Sequence, residues 1–371
     1  MIRMKKILLY WNGMASHQVS GGDIYVKKFI DNIGHQVDVV VSGKAHEMLS
    51  ADSATASNAV VIDRKIANNL FSLLWLYVVR LIKASYVTLK QRKSYDLSIS
   101  TSPFMYDIVP TIFSRADKKI VIMFHILPER KGKGFVTKLR FLLASIEQKI
   151  ALLIIKKYFQ VILVGNEDLR ELMAARFPDK EVLVAHAGID TSKIDASPDV
   201  EKQSNLALFV GRLTHQKGVF DLLDVVEYMQ SKYPDFRLVV VGDGPDKNRF
   251  TEAVKSRSIH AIEAVGFVSE AEKYKLMKEA KFFIFPSYEE GWGIALAEAL
   301  YAECIAVCYE IKHYRSLFAD YPKYVSIGDV EALKRSMEEV YDTKVQSTQK
   351  EFIAQYDDNV VVQKVVKEIM R

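Results

Sequence analysis

The segment KFFIFPSYEEGWGIALAEAL, residues 281–300, decides the fold. Its first five residues, a lysine followed by the apolar run Phe282–Phe285, predict a buried strand, and a helical pattern follows over 293–302. Between them lies a loop with Pro286, Gly291 and Gly293, and both glycines would let the backbone approach a ligand closely. A strand that leads through a short loop into a helix is the repeating unit of a parallel sheet covered by helices.

The same alternation extends to both sides of this segment. The predicted strands are 5–10, 37–42, 58–62, 96–100, 119–124, 160–164, 181–185, 206–210, 236–241, 261–265, 281–285, 304–308 and 323–326. The predicted helices are about 22–33, 66–90, 135–157, 216–231, 245–256, 270–278, 293–302 and 330–341. Strands that alternate with helices predict an α/β fold with parallel sheets.

The length of 371 residues predicts two Rossmann-like domains, because single cores rarely grow beyond about 250 residues. The polar segment 191–204 contains a proline and lacks hydrophobic periodicity, so we interpret it as an interdomain linker. It separates an N-terminal domain over 1–190 from a second domain over 205–349. Apolar residues at helical spacing over 350–371 predict a C-terminal helix that crosses back toward the N-terminal domain.

Composition indicates an ordinary folded protein, with 49% hydrophobic and 26% charged residues. Cys304 and Cys308 lack the spacing of a metal site and are expected to fill the core in a reducing compartment. The first apolar run is too short for a signal peptide, and the longest uncharged stretch, 66–79, is shorter than the roughly 20 residues of a membrane span. We therefore expect a cytoplasmic protein that is not integral to a membrane.

Positive charge is concentrated between residues 115 and 159, where eleven Lys or Arg residues face three Asp or Glu residues. Such a block indicates either an anionic partner or a solvated surface. The block lacks the interleaved aromatic residues that stack on nucleic-acid bases, so we expect no nucleic-acid partner.

Ligands of open parallel sheets bind at the carboxyl ends of the strands, so the loops at those positions carry the functional prediction. The loop FVGRLTHQKG, residues 209–218, supplies Arg212 and Lys217 directly after a strand. A guanidinium fork and a compact ammonium would together neutralise a diphosphate, although both could be solvated loop cations. Gly242-Asp243-Gly244-Pro245 lacks the third glycine of a dinucleotide fingerprint and predicts only a turn.

In the segment 281–300, the free amides of Ile294 and Ala295 at the helix start can bind a phosphate. Glu290 lies in the loop and Glu298 about one turn into the helix, and buried carboxylates without partners are costly. The two residues therefore predict a polyol ligand, although an acidic helix start is a simpler alternative. Gly21 and Gly22, before the first predicted helix, predict a second phosphate contact or simply a tight turn.

Glu290 and Glu298 form a Glu-x7-Glu motif that resembles that of the retaining GT-B glycosyltransferases of family 4. The resemblance covers most of the chain through an ordered set of pieces: Gly21-Gly22, Gly34-His35-x-Val37, Gly211-Arg212-Leu213 through Lys217-Gly218, Gly242-Asp243-Gly244-Pro245, Gly266-Phe267-Val268 and Pro286-Ser287. It implies a GT-B fold, in which two Rossmann-like domains with parallel sheets face each other across a cleft. The chain departs from the family pattern at Ala187, Glu303 and Ile305, where the family commonly has Asn, Gly and Pro.

The resemblance also implies a role for each matching position. The implied nucleotide and diphosphate contacts are Arg212, Lys217, Glu298, Gly21, Gly22, Ile294 and Ala295, and the implied donor-sugar contacts are Gly291, Trp292 and Gly293. Glu290 would act near the anomeric centre, and His125 would lie beside the donor sugar as the second catalytic residue. A lone histidine after a strand is otherwise more often structural.

These roles imply transfer of a hexose-type sugar from a UDP- or GDP-sugar, with retention at the anomeric carbon. The sequence contains no Asp-x-Asp motif, so we predict no metal and no other cofactor. Arg212, Lys217 and the helix amides would instead stabilise the charge on the departing diphosphate. Two alternatives are a non-catalytic subunit that binds nucleotide sugars and a nucleotide-sugar epimerase of the same fold.

The N-terminal domain is expected to select a saccharide or lipid-linked saccharide acceptor. Two predicted helices carry an apolar face: Leu70, Leu73, Leu74, Tyr77, Val78 and Leu81 with Trp75 in the first, and Phe135, Leu139, Leu142, Leu143, Ile146 and Ile150 in the second. Arg80, Lys83, Lys90, Arg92 and Lys93 flank the first. An apolar face with basic flanks suits peripheral docking on an anionic bilayer at the inner face of the cell membrane. Core packing explains the apolar residues equally well.

Overall fold

The computed structural model of the chain describes residues 5–13, 21–50, 56–67, 70–124, 135–346 and 348–371. The chain divides into two compact units. Unit 1 comprises Met1–His186 and Asn359–Arg371, and unit 2 comprises Ala187–Asp358. The segment 191–204, predicted as a linker, contains a helix and the start of a strand and lies within unit 2.

The strands are β1 (Lys6–Trp11), β2 (Gln36–Ser42), β3 (Ala56–Asp63), β4 (Tyr95–Ser100), β5 (Ala116–Met123), β6 (Val161–Val164), β7 (Glu181–Val184), β8 (Gln203–Val210), β9 (Arg237–Val241), β10 (Ile262–Gly266), β11 (Ala280–Phe285), β12 (Ile305–Tyr309) and β13 (Lys323–Val325).

The helices are α1 (Gly21–Asn32), α2 (Gly43–Ser50), α3 (Leu70–Lys90), α4 (Met105–Phe113), α5 (Phe135–Tyr158), α6 (Glu167–Arg176), α7 (Thr191–Ala196), α8 (Asp221–Lys232), α9 (Lys247–Ser256), α10 (Glu270–Glu279), α11 (Ile294–Tyr301), α12 (Tyr314–Phe318), α13 (Val330–Val340), α14 (Gln349–Ala354) and α15 (Asp358–Ile369). Where the sequence predicts one helix over 350–371, the structure has two, α14 and α15.

Unit 1 is built on a seven-stranded parallel sheet in the order β3-β2-β1-β4-β5-β6-β7. Five of the six residues of β1 and all four residues of β6 are buried, as expected for a parallel sheet covered on both faces. Helix α15 belongs to this unit, where Lys5 Nζ donates to the carbonyl of Met370 at 2.9 Å.

Unit 2 is built on a six-stranded parallel sheet in the order β10-β9-β8-β11-β12-β13. Near its centre, residues 206–209 of β8, 282–285 of β11 and all of β12 are apolar and buried, which confirms the α/β prediction for the second half of the chain. Because β9, β8 and β11 are neighbours in this order, the loops that follow them emerge side by side at the carboxyl edge of the sheet.

Candidate functional site

Close backbone packing joins the loops at the carboxyl edge of the unit 2 sheet. Gly218 has a left-handed backbone, with φ +65°, and a Cβ there would lie 1.9 Å from the carbonyl oxygen of Pro286. A Cβ on Gly242 would lie equally close to the carbonyl oxygen of Gly211. Only glycine fits at either position, so these residues bring the loops after β8, β9 and β11 together.

Lys217 and Glu290, which the sequence assigns to the diphosphate and the donor sugar, contact each other. Lys217 Nζ forms an ion pair with Glu290 Oε1. Ser287 Oγ donates to the same oxygen at 3.0 Å, and both charged side chains are partly buried. The structure therefore places a cation and a carboxylate, 73 residues apart in sequence, at one point of the sheet edge.

Arg212 follows β8 and is exposed. Its side chain forms no hydrogen bond or ion pair with any residue that the structure describes, whereas its backbone carbonyl accepts from Thr214 at 2.9 Å. An exposed guanidinium at a strand end can bind phosphate oxygens without first leaving an internal partner.

Glu298 lies in α11, is 4% exposed and is already paired within the protein. Lys273 Nζ donates to both carboxylate oxygens at 2.7 Å, and Tyr274 Oη donates to Oε1 at 3.2 Å. The sequence argument that an unpaired carboxylate here demands a polyol is therefore wrong, because α10 supplies the partners. Sequence inspection missed Lys273 and Tyr274, since nothing near residue 298 indicates a contact 24 or 25 residues away.

Gly293 caps α11 in a left-handed conformation, with φ +99°. Its missing side chain leaves room for Tyr314, whose Oη would lie 3.0 Å from a Cβ at this position. Burial raises the pKa of the Tyr314 phenol far above its usual value, and the nearby Glu290 charge adds to the effect. Ile294 and Ala295 open the helix, so their amides have no partner within it.

The other two residues of the predicted donor-sugar set differ in exposure. Gly291 is exposed, whereas Trp292 is 5% exposed and lies in the core of unit 2. The indole ring packs edge-on against Phe318 and Tyr356, with centroids 5.6 and 5.3 Å apart. The indole of Trp292 is therefore part of the core of unit 2.

The predicted contacts of the first half belong to unit 1. Gly21 and Gly22 are the first residues of α1, and Gly22 lines a cavity within this unit. His125 lies outside the described residues. Among the residues that the structure describes, no three His, Cys, Asp or Glu side chains group as a metal site would require. Cys304 and Cys308 are buried free thiols.

Of the predicted apolar faces, Tyr77 and Leu81 are partly buried, and the side chains of Leu70, Phe135 and Leu139 lie outside the described part of the structure. The other predicted residues belong to an exposed apolar surface on α3 and α5, whereas Ala84, Leu152 and Ile155 of the same helices lie in the core. This surface, which we call the α3–α5 face, comprises Phe71, Leu73, Leu74, Trp75, Val78, Ile82, Tyr86, Leu89, Leu142, Leu143, Ile146, Ile150 and Leu153. The opposite side of α3 packs on unit 1 through Leu76, Arg80, Ala84 and Thr88, all buried at four-residue spacing. Arg80, predicted in the basic flank, is thus wrongly placed there, because it is buried and paired with Asp63.

Helix α3 also has the length and composition of a membrane span. Within the described part of the chain, only the helical stretch Phe71–Lys90 is long and apolar enough to cross a membrane. Its mean hydropathy is 1.3, and 22% of the stretch is buried within the protein. The buried ion pair of Arg80 with Asp63 ties the helix to β3 of unit 1.

Residues 190–356 match the family described as Glycosyl transferases group 1, and this segment nearly coincides with unit 2. The capsular polysaccharide biosynthesis glycosyltransferase CapH of Staphylococcus aureus is 26% identical over 232 residues, 61% of this chain and 63% of the relative. The GDP-mannose:cellobiosyl-diphosphopolyprenol alpha-mannosyltransferase of Xanthomonas campestris is 25% identical over 57% of this chain and 58% of its own. The chain thus spans less than two thirds of these relatives.

Solved structures resemble the whole chain in fold. The lipopolysaccharide outer core galactosyltransferase WaaB, in its apo form, matches with a TM-score of 0.69 and 15% identity over 98% of this chain and 99% of its own. Anabaena Alr3699/HepE in complex with UDP matches with a TM-score of 0.72 and 12% identity over 99% and 100% of the two chains. The chain therefore has the GT-B fold, and its residues 190–356 match the glycosyl transferases group 1 family.

Proposed function

We propose that this protein is a retaining glycosyltransferase of glycan assembly. It transfers a hexose-type sugar from a UDP- or GDP-sugar to a saccharide or lipid-linked saccharide. The observation that carries the proposal is the carboxyl edge of the unit 2 sheet, where Arg212, the Lys217–Glu290 pair and the start of α11 follow neighbouring strands. Sugar-nucleotide chemistry at this edge would also agree with the family match over 190–356.

The cations and helix amides suit a diphosphate leaving group. Arg212 offers a fork of donors, Lys217 a compact charge, and Ile294 and Ala295 two amides at the positive end of a helix. When diphosphate approaches, Lys217 would exchange its contact with Glu290 for one with phosphate oxygen. Glu290, released from this pair, would accept hydrogen bonds from the donor sugar. These groups would stabilise the negative charge that grows as the diphosphate departs, without a metal ion.

In the proposed reaction the acceptor hydroxyl attacks the anomeric carbon from the side of the leaving group. The new bond joins the acceptor oxygen to that carbon, and the bond from the carbon to the diphosphate oxygen breaks with its electron pair. The diphosphate takes the hydroxyl proton, so charge and atoms balance and the configuration is retained. No covalent sugar adduct forms on Glu290 or Glu298, in contrast to retaining hydrolases.

The named relatives support a donor and an acceptor of this kind. The Xanthomonas campestris relative is named for GDP-mannose and a diphosphopolyprenol-linked cellobiosyl acceptor, and the Anabaena structure contains UDP.

The test is turnover with a panel of UDP- and GDP-hexoses, in the wild type and in Arg212→Ala and Lys217→Ala. Loss of one charge-stabilising donor typically lowers kcat by about 100-fold or more, and we expect that loss in both variants. Lys232→Ala, which removes an exposed lysine at the end of α8, is the matched control. Undiminished turnover in both variants would overturn the assignment, and nucleotide binding without any turnover would favour the non-catalytic alternative.

We further propose that the α3–α5 face docks on an anionic membrane. Its aromatic residues, including Phe71 at 79% and Trp75 at 60% exposure, suit the interfacial region of a bilayer. Lys83, Lys90 and Lys149 are exposed on the same helices and would contact anionic headgroups.

Co-sedimentation with vesicles tests this docking. We expect binding to phosphatidylglycerol-containing vesicles at low salt, little binding to pure phosphatidylcholine, and loss of binding in the double variant Phe71→Ser, Trp75→Ser. Phe267→Ser changes an equally exposed aromatic residue of unit 2 and should leave binding unchanged. Binding that survives the double variant would contradict the proposal.

A further inference from the structure

Unit 1 contains a cavity of about 390 Å³ that is lined by none of the donor groups proposed in unit 2, although Gly22, a phosphate contact implied by the family resemblance, forms part of its wall. It lies at the carboxyl ends of β1, β4 and β5, which are neighbours in the sheet, and α5 forms another wall. This volume falls within the range of about 300–1,000 Å³ typical of small-molecule sites. Its position at the carboxyl edge of a parallel sheet is the usual position of a ligand.

Aromatic rings form much of the cavity wall. Trp11, Phe104, Tyr106 and Phe124 line it. Phe104 and Tyr106 lie nearly parallel with centroids 5.5 Å apart, and Phe104 remains partly exposed. Flat apolar walls suit the carbon face of a sugar ring, which presents C–H groups on its faces and hydroxyls at its edge.

Two polar side chains of the cavity wall, Glu147 and Gln148, have unused hydrogen-bonding capacity. Glu147 Oε1 accepts from Tyr77 Oη and, at 3.2 Å, from the amide of Met105, whereas Oε2 accepts from no described residue. Gln148, on the next position of α5, has no hydrogen-bond partner among the described residues. A carboxylate oxygen and an amide with unused capacity are suited to bind sugar hydroxyls.

The charge of the lining is negative. Asp23 and Glu147 line the cavity together with Asp107, whose pKa is raised to about 7 by burial, and none of the described lining residues is Lys, Arg or His. A uronic acid or phosphorylated sugar would meet the like charges of Asp23 and Glu147, with no cation among the described lining residues to balance them, at a cost that grows in a partly buried site. A neutral sugar carries no such penalty.

Asp107 positions the floor of the cavity. Its Oδ1 accepts from the Asn12 amide at 3.0 Å, and its Oδ2 accepts from Ser102 Oγ at 2.5 Å. The carboxyl group thereby joins the end of β1 to the end of β4, and it is fully buried. It is a positioning residue that acts through the two loops.

We propose that this cavity binds a neutral pyranose ring of the acceptor and discriminates against anionic sugars, with Glu147 and Gln148 as hydroxyl partners and Phe104 against the ring. The inference rests on the proposed glycosyltransferase function and names the class of acceptor that the enzyme selects. Its site lies wholly within unit 1, whereas the donor groups argued above lie in unit 2.

The experiment measures binding of two sets of probes to the full chain. The first set is methyl glucoside, galactoside and mannoside with the corresponding methyl glucuronide and galacturonide, followed by saturation-transfer NMR. The second set is UDP and GDP, followed by calorimetry. The variants are Glu147→Gln and Phe104→Ala, and Glu181→Gln, an exposed carboxylate of unit 1, is the control.

We expect at least one neutral glycoside to bind about tenfold more tightly than its uronide. Glu147→Gln should weaken binding of the neutral glycoside about tenfold, because a hydrogen bond to a neutral acceptor is weaker than one to a charged acceptor. The ratio between the Kd of the uronide and the Kd of the neutral glycoside should fall in this variant. Phe104→Ala should weaken binding of both the neutral glycoside and the uronide, and the control variant should bind both as the wild type does.

Three outcomes would overturn the proposal: uronides that bind as well as neutral glycosides, neutral binding that both variants leave intact, or no neutral glycoside that binds at all. A circular dichroism spectrum and a thermal unfolding curve like those of the wild type show that the variants are folded. If the glycosides bind as expected but neither UDP nor GDP binds the wild type, the assignment of the donor site in unit 2 is wrong, whereas the proposal for the unit 1 cavity is supported.

Discussion

At the scale of single residues, the Lys217–Glu290 pair affects both nucleotide binding and sugar transfer. Each side chain neutralises the other in the absence of a ligand, so Glu290 competes with diphosphate for the Lys217 charge. Removing the carboxylate should therefore strengthen nucleotide binding and lower the rate of sugar transfer.

The corresponding variant is Glu290→Gln. We expect the Kd of UDP or GDP to stay equal or fall severalfold, because Lys217 no longer needs to leave an ion pair, while kcat with the nucleotide sugar drops at least tenfold. Calorimetry and turnover measure the two effects. Glu289→Gln, an exposed neighbour in the same loop, should change neither. Nucleotide binding that weakens tenfold in Glu290→Gln would mean that the carboxylate supports the nucleotide.

Asp107 predicts a pH dependence of stability. Burial raises the pKa of this carboxyl to about 7 from its ordinary value of 3.8, even though hydrogen bonds from Ser102 and Asn12 favour the charged form. Between these two values the folded protein holds a proton that the unfolded chain has released, so stability is lost as the pH rises from about 4 to about 7.

The variant Asp107→Asn should remove this loss. We expect its free energy of unfolding, relative to wild type, to increase between pH 4.5 and about pH 7 and to level off at higher pH, as measured by urea unfolding. Asp117→Asn changes an exposed carboxyl of β5 and should show a constant difference over the same range. A constant difference for Asp107→Asn would show that the group is ionised in the folded protein throughout.

At the scale of elements, the turn between β8 and α8 depends on Gly218. This residue ends a 3-10 turn, His215–Lys217, and its left-handed backbone delays α8 until Asp221, five residues after the predicted start. The same geometry places Lys217 beside Glu290 of the loop that follows β11.

We predict that Gly218→Ala is far more destabilising than Gly328→Ala. Both glycines have positive φ, so both variants incur the left-handed penalty of about 1 kcal/mol. At Gly218 the new Cβ would also meet the Pro286 carbonyl at 1.9 Å, whereas at Gly328 the nearest atom, in Tyr288, is 3.5 Å away. We expect a loss of more than about 2 kcal/mol for Gly218→Ala in urea unfolding. Equal losses would show that the loop of Pro286 moves freely.

Apolar runs predicted all thirteen strands within a few residues, because strands buried on both faces of a parallel sheet consist of little else. Helix prediction was less complete. The helices α2, α4, α6, α7 and α12 were missed. Helices α2, α7 and α12 have eight residues or fewer, α4 contains Pro110, and α6, although ten residues long, buries only Leu169 and Met173, so its apolar period is weak. The break between α14 and α15 also went unpredicted, because apolar spacing alone does not mark it.

At the scale of the whole molecule, the proposed chemistry predicts independence from divalent metals. Arg212, Lys217 and the start of α11 supply the positive charge that a metal ion would otherwise provide. We expect turnover in EDTA to equal turnover with added Mg²⁺ or Mn²⁺ within about twofold. Activity that disappears in EDTA and returns with Mg²⁺ would contradict this part of the proposal. The GT-B fold itself would be unaffected by that result.

The sequence by itself determined the fold class and the loops that carry the candidate donor site, because both follow from local patterns: apolar runs, helical periodicity, and glycines and cations after strands. The tertiary structure alone decided which side chains are paired. Glu298 is held by Lys273, Arg80 is buried on Asp63, and the unit 1 cavity joins residues from three strands and three helices. Such contacts link positions far apart in the chain, and no local pattern records them.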